Sequence, residues 1–193
     1  MITKMLKGVL LVGTTVALLS FDLPTGWFKA GSKPDSYEMG VDKNAGQDGK
    51  NAATIKSIDK KINGFGTLMQ ESKPDNYLGK RVKMTAFIKS ENVKDWAGLW
   101  FRVDQAGSDQ PLSFDNMENR AIKGTTDWTK YEIVLDVPAN ASMLAYGVLI
   151  DGTGQIWFDN LSFAIVDESV KTTGYNKGQS EIQSEPTNLD FEK

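Results

Sequence analysis

Beyond residue 20 the chain almost never spaces its apolar residues as a helix would; it breaks instead into short runs in which apolar and polar residues alternate. Alternation with period two is the geometry of a strand, whose successive side chains point to opposite faces. Such runs occupy 27–30, 36–42, 51–58, 65–71, 81–91, 96–104, 111–115, 129–137, 143–151 and 155–166. Glycine, proline, asparagine or aspartate closes each one, as at Asp48-Gly49, Asn63-Gly64, 138–140 and 151–154. A parallel sheet would need a helical crossover between strands, and the gaps leave no room for one. The expected fold class is therefore all-β: an antiparallel β-sandwich or jelly roll.

The 193 residues are enough for one such domain with tails. Lys4 and Lys7 precede an apolar run from Gly8 to Leu19. That run is too short to span a bilayer as a helix, but it suits the apolar region of a signal peptide. Residues 1–20 are thus expected to be a signal peptide, or an anchor through 8–20, and the protein to be secreted or held at the cell surface. The sandwich is expected over 21–167. From 168 to 187 the chain is polar and nearly free of large apolar residues, which predicts a disordered tail. The tail ends in NLDFEK, where Leu189 and Phe191 alternate with polar neighbours and echo LLSFDL at 18–23. The segment 188–192 is expected to be a strand that adds to an exposed sheet edge or docks a protein partner.

Absences narrow the chemistry. The chain has no cysteine and no histidine. Disulfides, thiolate catalysis, the serine–histidine triad and histidine or cysteine metal sites are excluded with them. A net charge of −3 provides no basic footprint for nucleic acid.

Strand parity then sorts the remaining candidates. In GQIWFDNLSF, 154–163, Trp157, Asp159, Leu161 and Phe163 share a face that reads as core, so Asp159 is expected to be a buried carboxylate needing a partner. In WAGLWFRVD the core set is Leu99, Phe101 and Val103, which leaves Trp100, Arg102 and Asp104 on the outer face. In VKMTAFIKS the core set is Val82, Met84, Ala86 and Ile88, which leaves Phe87 and Lys89 outside. Rings beside charged groups suit a saccharide: its C–H faces stack on the ring while its hydroxyls bond to the charges. Trp96 at the strand entrance joins the set, and the polar loop LSFDNMENRAIKG is expected to close over the face with Asp115, Asn116 and Arg120. Trp27, Trp128 and Trp157 are assigned to packing. Carboxylates such as Glu71, Asp75 and Asp95 carry no recognisable acid–base pattern, so hydrolysis ranks last.

Several segments together carry a family resemblance: DGKNAATIKS at 48–57, LGKRVKMTAFIKSENV at 78–93, and the long run 125–163 ending in IWFDNLSF. With Phe21-Asp22 and Gly26-Trp27 at the opening and Phe158-Asp159-Asn160-Leu161 at the close, residues 18–166 resemble the carbohydrate-binding modules of galactose-binding-like jelly-roll type. GWFKAGSKPDSYEMGVD further resembles a bacterial group of stand-alone domains often labelled transcriptional regulators. This chain has no helix-turn-helix pattern. The resemblance implies a structural calcium ion held by Asp159 and Asp22 with backbone carbonyls, in the all-oxygen shell that calcium prefers. The alternative for Asp159 is a carboxylate that accepts backbone N–H groups from a neighbouring turn. The leading expectation is a non-catalytic domain, not an enzyme, whose partner is a polysaccharide or other glycan. A protein- or effector-binding module of the same fold is the alternative.

Overall fold

In a computed structural model that describes residues 21–176, the ten alternating runs become nine strands, and a short tenth strand follows at 175–176. The expected signal peptide or anchor at 1–20 and the expected strand at 188–192 lie outside the described residues. In chain order the strands are β1 (Phe28–Gly31), β2 (Tyr37–Asp42), β3 (Ala52–Ser57), β4 (Phe65–Ser72), β5 (Lys80–Asp104), β6 (Ser113–Asp115), β7 (Ile122–Val137), β8 (Met143–Asp151), β9 (Gln155–Val166) and β10 (Tyr175–Asn176). Every pairing among them is antiparallel.

The two runs read at 81–91 and 96–104 form one bent strand, β5, 25 residues long. Its first half lies between β7 and β9, and β9 continues to β3 and β2. Its second half lies between β8 and β6; β8 continues to β4 and β1, and β6 to β10. The result is a jelly-roll β-sandwich whose two sheets share β5.

Between the sheets, Val82, Met84, Ala86 and Ile88 from one half of β5 and Leu99, Phe101 and Val103 from the other are fully buried. Phe163 of β9 ties the layers together, with its ring 5.6 Å from Phe101 and 4.8 Å from Tyr146. Trp27 closes one end of the core against Phe158 at 5.7 Å.

The expectation that Asp159 faces the core is overturned by a β-bulge. Asn160 adopts φ 53°, and the β5–β9 register slips between Thr85 and Phe87. An inserted residue reverses the alternation beyond it. Ile156 and Phe158 therefore point inward before the bulge, and Leu161 and Phe163 after it. Trp157 and Asp159 are left on the outer face, half-buried, where the Asp159 carboxylate accepts the Asn160 N–H at 2.7 Å.

The stretch after Asp167 departs from a loose tail at its start. Arg81 donates to the carbonyls of Glu168 and Val170. Thr173 exchanges backbone and side-chain hydrogen bonds with Val134, and Tyr175 and Asn176 pair with β6.

Left-handed backbone is tolerated by asparagine and glycine and resisted by branched side chains. Asn160→Val is expected to lose about 1–2 kcal/mol of stability in chemical denaturation, and Asn160→Gly to change it little.

Candidate ligand-binding groove

Residues directly opposite one another on antiparallel strands share a face. The outer face of the sheet β1-β4-β8-β5-β6 can therefore be read row by row. One row is Phe28–Met69–Gly147–Trp100, a second is Ala30–Thr67–Leu149–Gly98, and a third is Glu71–Ala145–Arg102–Phe114. These rows floor a groove of about 920 Å³. Its apolar base is a second cluster, separate from the main core: Met69, Trp100, Ala145 and Leu149, with Phe65, Trp96 and Phe114 packed against it.

Trp100 lies on the predicted face but is no projecting platform, since only 8% of it is exposed. Its row neighbour on β8 is Gly147, which has no side chain. The indole reaches past β8 to β4, where its Nε1–H donates to Thr67 Oγ1 at 2.8 Å. The Thr67 hydroxyl in turn donates to the Val148 carbonyl. Trp100 is thus a fixed floor, and the more exposed Trp96 stands beside it.

Arg102 rises from the same strand. Its Nε lies 2.8 and 3.0 Å from the two carboxylate oxygens of buried Asp104, and one terminal nitrogen donates to the Asp109 carbonyl at 3.2 Å. The other terminal nitrogen has no protein partner among the described residues. Glu71, Asp104 and Asp109 line the groove against this one cation, and no lysine lines it. The groove is apolar below and mildly acidic at its rim.

Of the residues expected to act together, the groove assembles Trp96, Trp100, Arg102, Asp104 and Asn116. Phe87 and Lys89 do not join them. They lie on the outer face of the other sheet, opposite Asp159 and Trp157, and the Lys89 ammonium sits 5.3 Å from the Trp157 ring centre. Asp115 and Arg120 do not close over the face either. Asp115 pairs opposite Phe101, so its carboxylate turns inward, where it binds Arg120 at 2.7 and 3.0 Å and accepts from the Met117 N–H and the Thr173 hydroxyl. Met69, Phe65, Leu149 and Phe114 were not anticipated. The signal for one of them, Leu149, is in MLAYGVLI on β8, apolar at both parities, as a strand buried on both faces must be.

Burial alone would raise the Asp115 carboxyl, but hydrogen bonds from Arg120, Thr173 and the Met117 N–H, with the Arg120 charge, outweigh it and hold it below the usual aspartate range. A depressed folded-state value stabilises the protein above the unfolded-state value and ceases to do so as pH falls through the folded one. Asp115→Asn is expected to cost about 2 kcal/mol at neutral pH. Below about pH 4 the wild type should lose stability toward the variant, which thermal melts across pH will show.

No known family profile matches the chain. It is 46% identical over 169 residues to the uncharacterized HTH-type transcriptional regulator YbfP of Bacillus subtilis (strain 168), a match that takes in 87% of this chain and 57% of the relative. The chain thus spans little more than half of that relative. A weaker match, 29% over 99 residues, covers 48% of this chain and 4% of the tRNA nuclease WapA of the same strain. Among solved structures, the CBM22-1 xylan-binding domain of Paenibacillus barcinonensis Xyn10C superposes with a TM-score of 0.53 at 16% identity, covering 77% of this chain and 90% of that one. The CBM22-1-GH10 modules of Clostridium thermocellum xylanase 10B, complexed with xylohexaose, give 0.54 at 14% identity over 74% of this chain and 26% of theirs. The chain has the jelly-roll fold of the carbohydrate-binding modules.

Proposed function

We propose that the groove binds a neutral glycan chain and does not catalyse its turnover. The observation that carries this reading is the separate apolar cluster on the sheet's outer face, floored by Trp100 and rimmed by Arg102, Asp104, Glu71 and Asn116. A sugar ring has apolar faces and polar edges, and this surface is layered in the same way. The acidic rim disfavours uronate or phosphate polymers by like-charge repulsion. One structural neighbour is a xylan-binding domain, which supports xylan as a first probe. The basic-then-apolar leader supports export to the cell exterior, which fractionation would test.

Affinity electrophoresis through gels cast with xylan, galactan, β-glucan or polygalacturonate tests the reading. Retardation is expected in one of the neutral polymers and not in polygalacturonate. Trp96→Ala and Arg102→Ala should weaken it at least about tenfold, while Phe87→Ala and Lys89→Ala, on the opposite sheet, should migrate as wild type. An unretarded wild type in every gel would remove the proposal.

A second reading has its own support. The relative labelled a transcriptional regulator is longer than the stretch it shares with this chain, which favours a domain that senses a small effector for an attached module. Tight binding of a mono- or disaccharide without retention on any polymer would favour it.

Calcium at the sheet edge is proposed on the donor set. The Asp159 carboxylate and the carbonyls of Lys50 and Asn51 converge beside Gly46, all 2.9–3.1 Å from the point a Cβ on that glycine would occupy, and the Lys50 carbonyl also accepts the Gly46 N–H. Among the described residues no three acidic side chains gather, so the remaining donors would be carbonyls and water. The Asp22 carbonyl is taken by the Val41 N–H, which leaves its exposed carboxylate as the group that would contribute. Calcium should raise the melting temperature of chelator-treated protein and leave Asp159→Asn unmoved; an identical melt with calcium and with chelator would end the assignment.

A further inference from the structure

The row that crosses the groove does not stop at its wall. Glu71, Ala145, Arg102 and Phe114 are followed, one strand further, by Tyr175 of β10, which pairs directly opposite Phe114 and so shares its face. Tyr175 is 57% exposed, while the groove's own aromatics are largely covered. Between it and Phe114 a second basin of about 350 Å³ is bordered by Asn116, Glu118 and Asn119. Phe114 and Asn116 line both basin and groove, so the two depressions adjoin at these residues.

We infer that Tyr175 forms an outer subsite that lengthens the groove, so that a glycan chain lies across the strands and extends past β6 onto the C-terminal strap. The inference rests on the glycan-binding reading and adds to it a direction and a length. From β4 to β10 the row crosses four inter-strand gaps of about 4.8 Å each, a span that favours a long oligosaccharide over a disaccharide.

A lone exposed tyrosine is ordinary; what distinguishes this one is how firmly its backbone is placed. Arg81 grips the carbonyls of Glu168 and Val170. The Thr173 hydroxyl donates to Asp115, and the Thr173 N–H to the Val134 carbonyl. Gly174 then passes so close to β6 that a Cβ there would strike the Phe114 carbonyl and the Asp115 side chain. Ordering a loose segment on binding opposes affinity, whereas a ring already held on a paired strand contributes its stacking at little entropic cost. The amides of Asn116 and Asn119 flank it with groups that match sugar hydroxyls.

Isothermal titration with xylo-oligosaccharides from disaccharide to hexasaccharide tests this, or with the corresponding ladder from whichever neutral polymer retards the protein. Wild-type affinity is expected to rise with chain length. Tyr175→Ala should bind the disaccharide as wild type does and lose about fivefold to tenfold on the hexasaccharide; Tyr175→Phe should keep the gain, with all three proteins melting alike. If Tyr175→Ala follows the wild type at every length while Trp96→Ala loses binding, the outer subsite is wrong and the groove reading stands. If Trp96→Ala binds as wild type, or no oligosaccharide binds, the groove reading falls and the subsite falls with it.

Discussion

β5 is hydrogen-bonded to β7, β9, β8 and β6, and neither sheet is continuous without it. Serving both layers imposes a condition on its alternation. The inward set is even-numbered over Val82–Ile88 and odd-numbered over Ala97–Val103. A uniform strand keeps one parity along its length, so a residue must be inserted between the halves. The β5–β7 register slips three times between Ile88 and Ala97, and Asn92 there takes φ 53°. Bulges increase local twist and bend a strand, which is what a passage from one sheet to the other requires. The groove follows from the same bend, because it sends Trp96, Trp100, Arg102 and Asp104 onto an outer face that β4, β8 and β6 then wall in.

The sequence made strand positions legible because alternation is local, and nine of the ten strands lie on or within two residues of the predicted runs, apart from the N-terminal half of β7. That half, IKGTTDWT, buries little beyond Ile122, so it carries no apolar period to detect. The unity of β5 was hidden for the opposite reason, since a polar bulge looks like a turn. Parity within a run also gives a face without naming the sheet. Phe87 and Lys89 were rightly excluded from the core, yet they stand on the other side of the sandwich from Trp100. Asp159 failed in a third way: one left-handed asparagine, Asn160, displaced the whole alternation, and asparagine is common in ordinary strand-end turns as well.

Trp100 shows where a site ceases to be readable from its own strand. Its face follows from WAGLWFRVD, but its place opposite Gly147 of β8 and its hydrogen bond to Thr67 of β4 do not. These are contacts between distant parts of the chain. The consequence is energetic. With its N–H already taken, the indole offers a ligand its apolar surface, and hydrogen bonding in the groove falls to Arg102, Asp104, Glu71 and Asn116. Arg102 in turn divides its donors between Asp104, the Asp109 carbonyl and open space. Rings and charges held by their own neighbours lose little freedom on binding, and the same bonds leave few donors uncommitted. Such a surface recognises shape and ring stacking more than a dense pattern of hydrogen bonds.

β6 joins the two regimes in three residues. Phe114 faces the groove and Asp115 faces the interior, where Arg120 and Thr173 close on its carboxylate. Arg120 fixes the turn that carries Asn116 and Asn119, and Thr173 fixes the strap that carries Tyr175. A buried ion pair adds little net stability when compared with an apolar replacement. Its value here is positional: one inward carboxylate sets both borders of the outer basin at once. An apolar residue at 115 would fill the same volume, but it would leave Arg120 and Thr173 without their shared acceptor, and the groove's far wall would lose its defined edge.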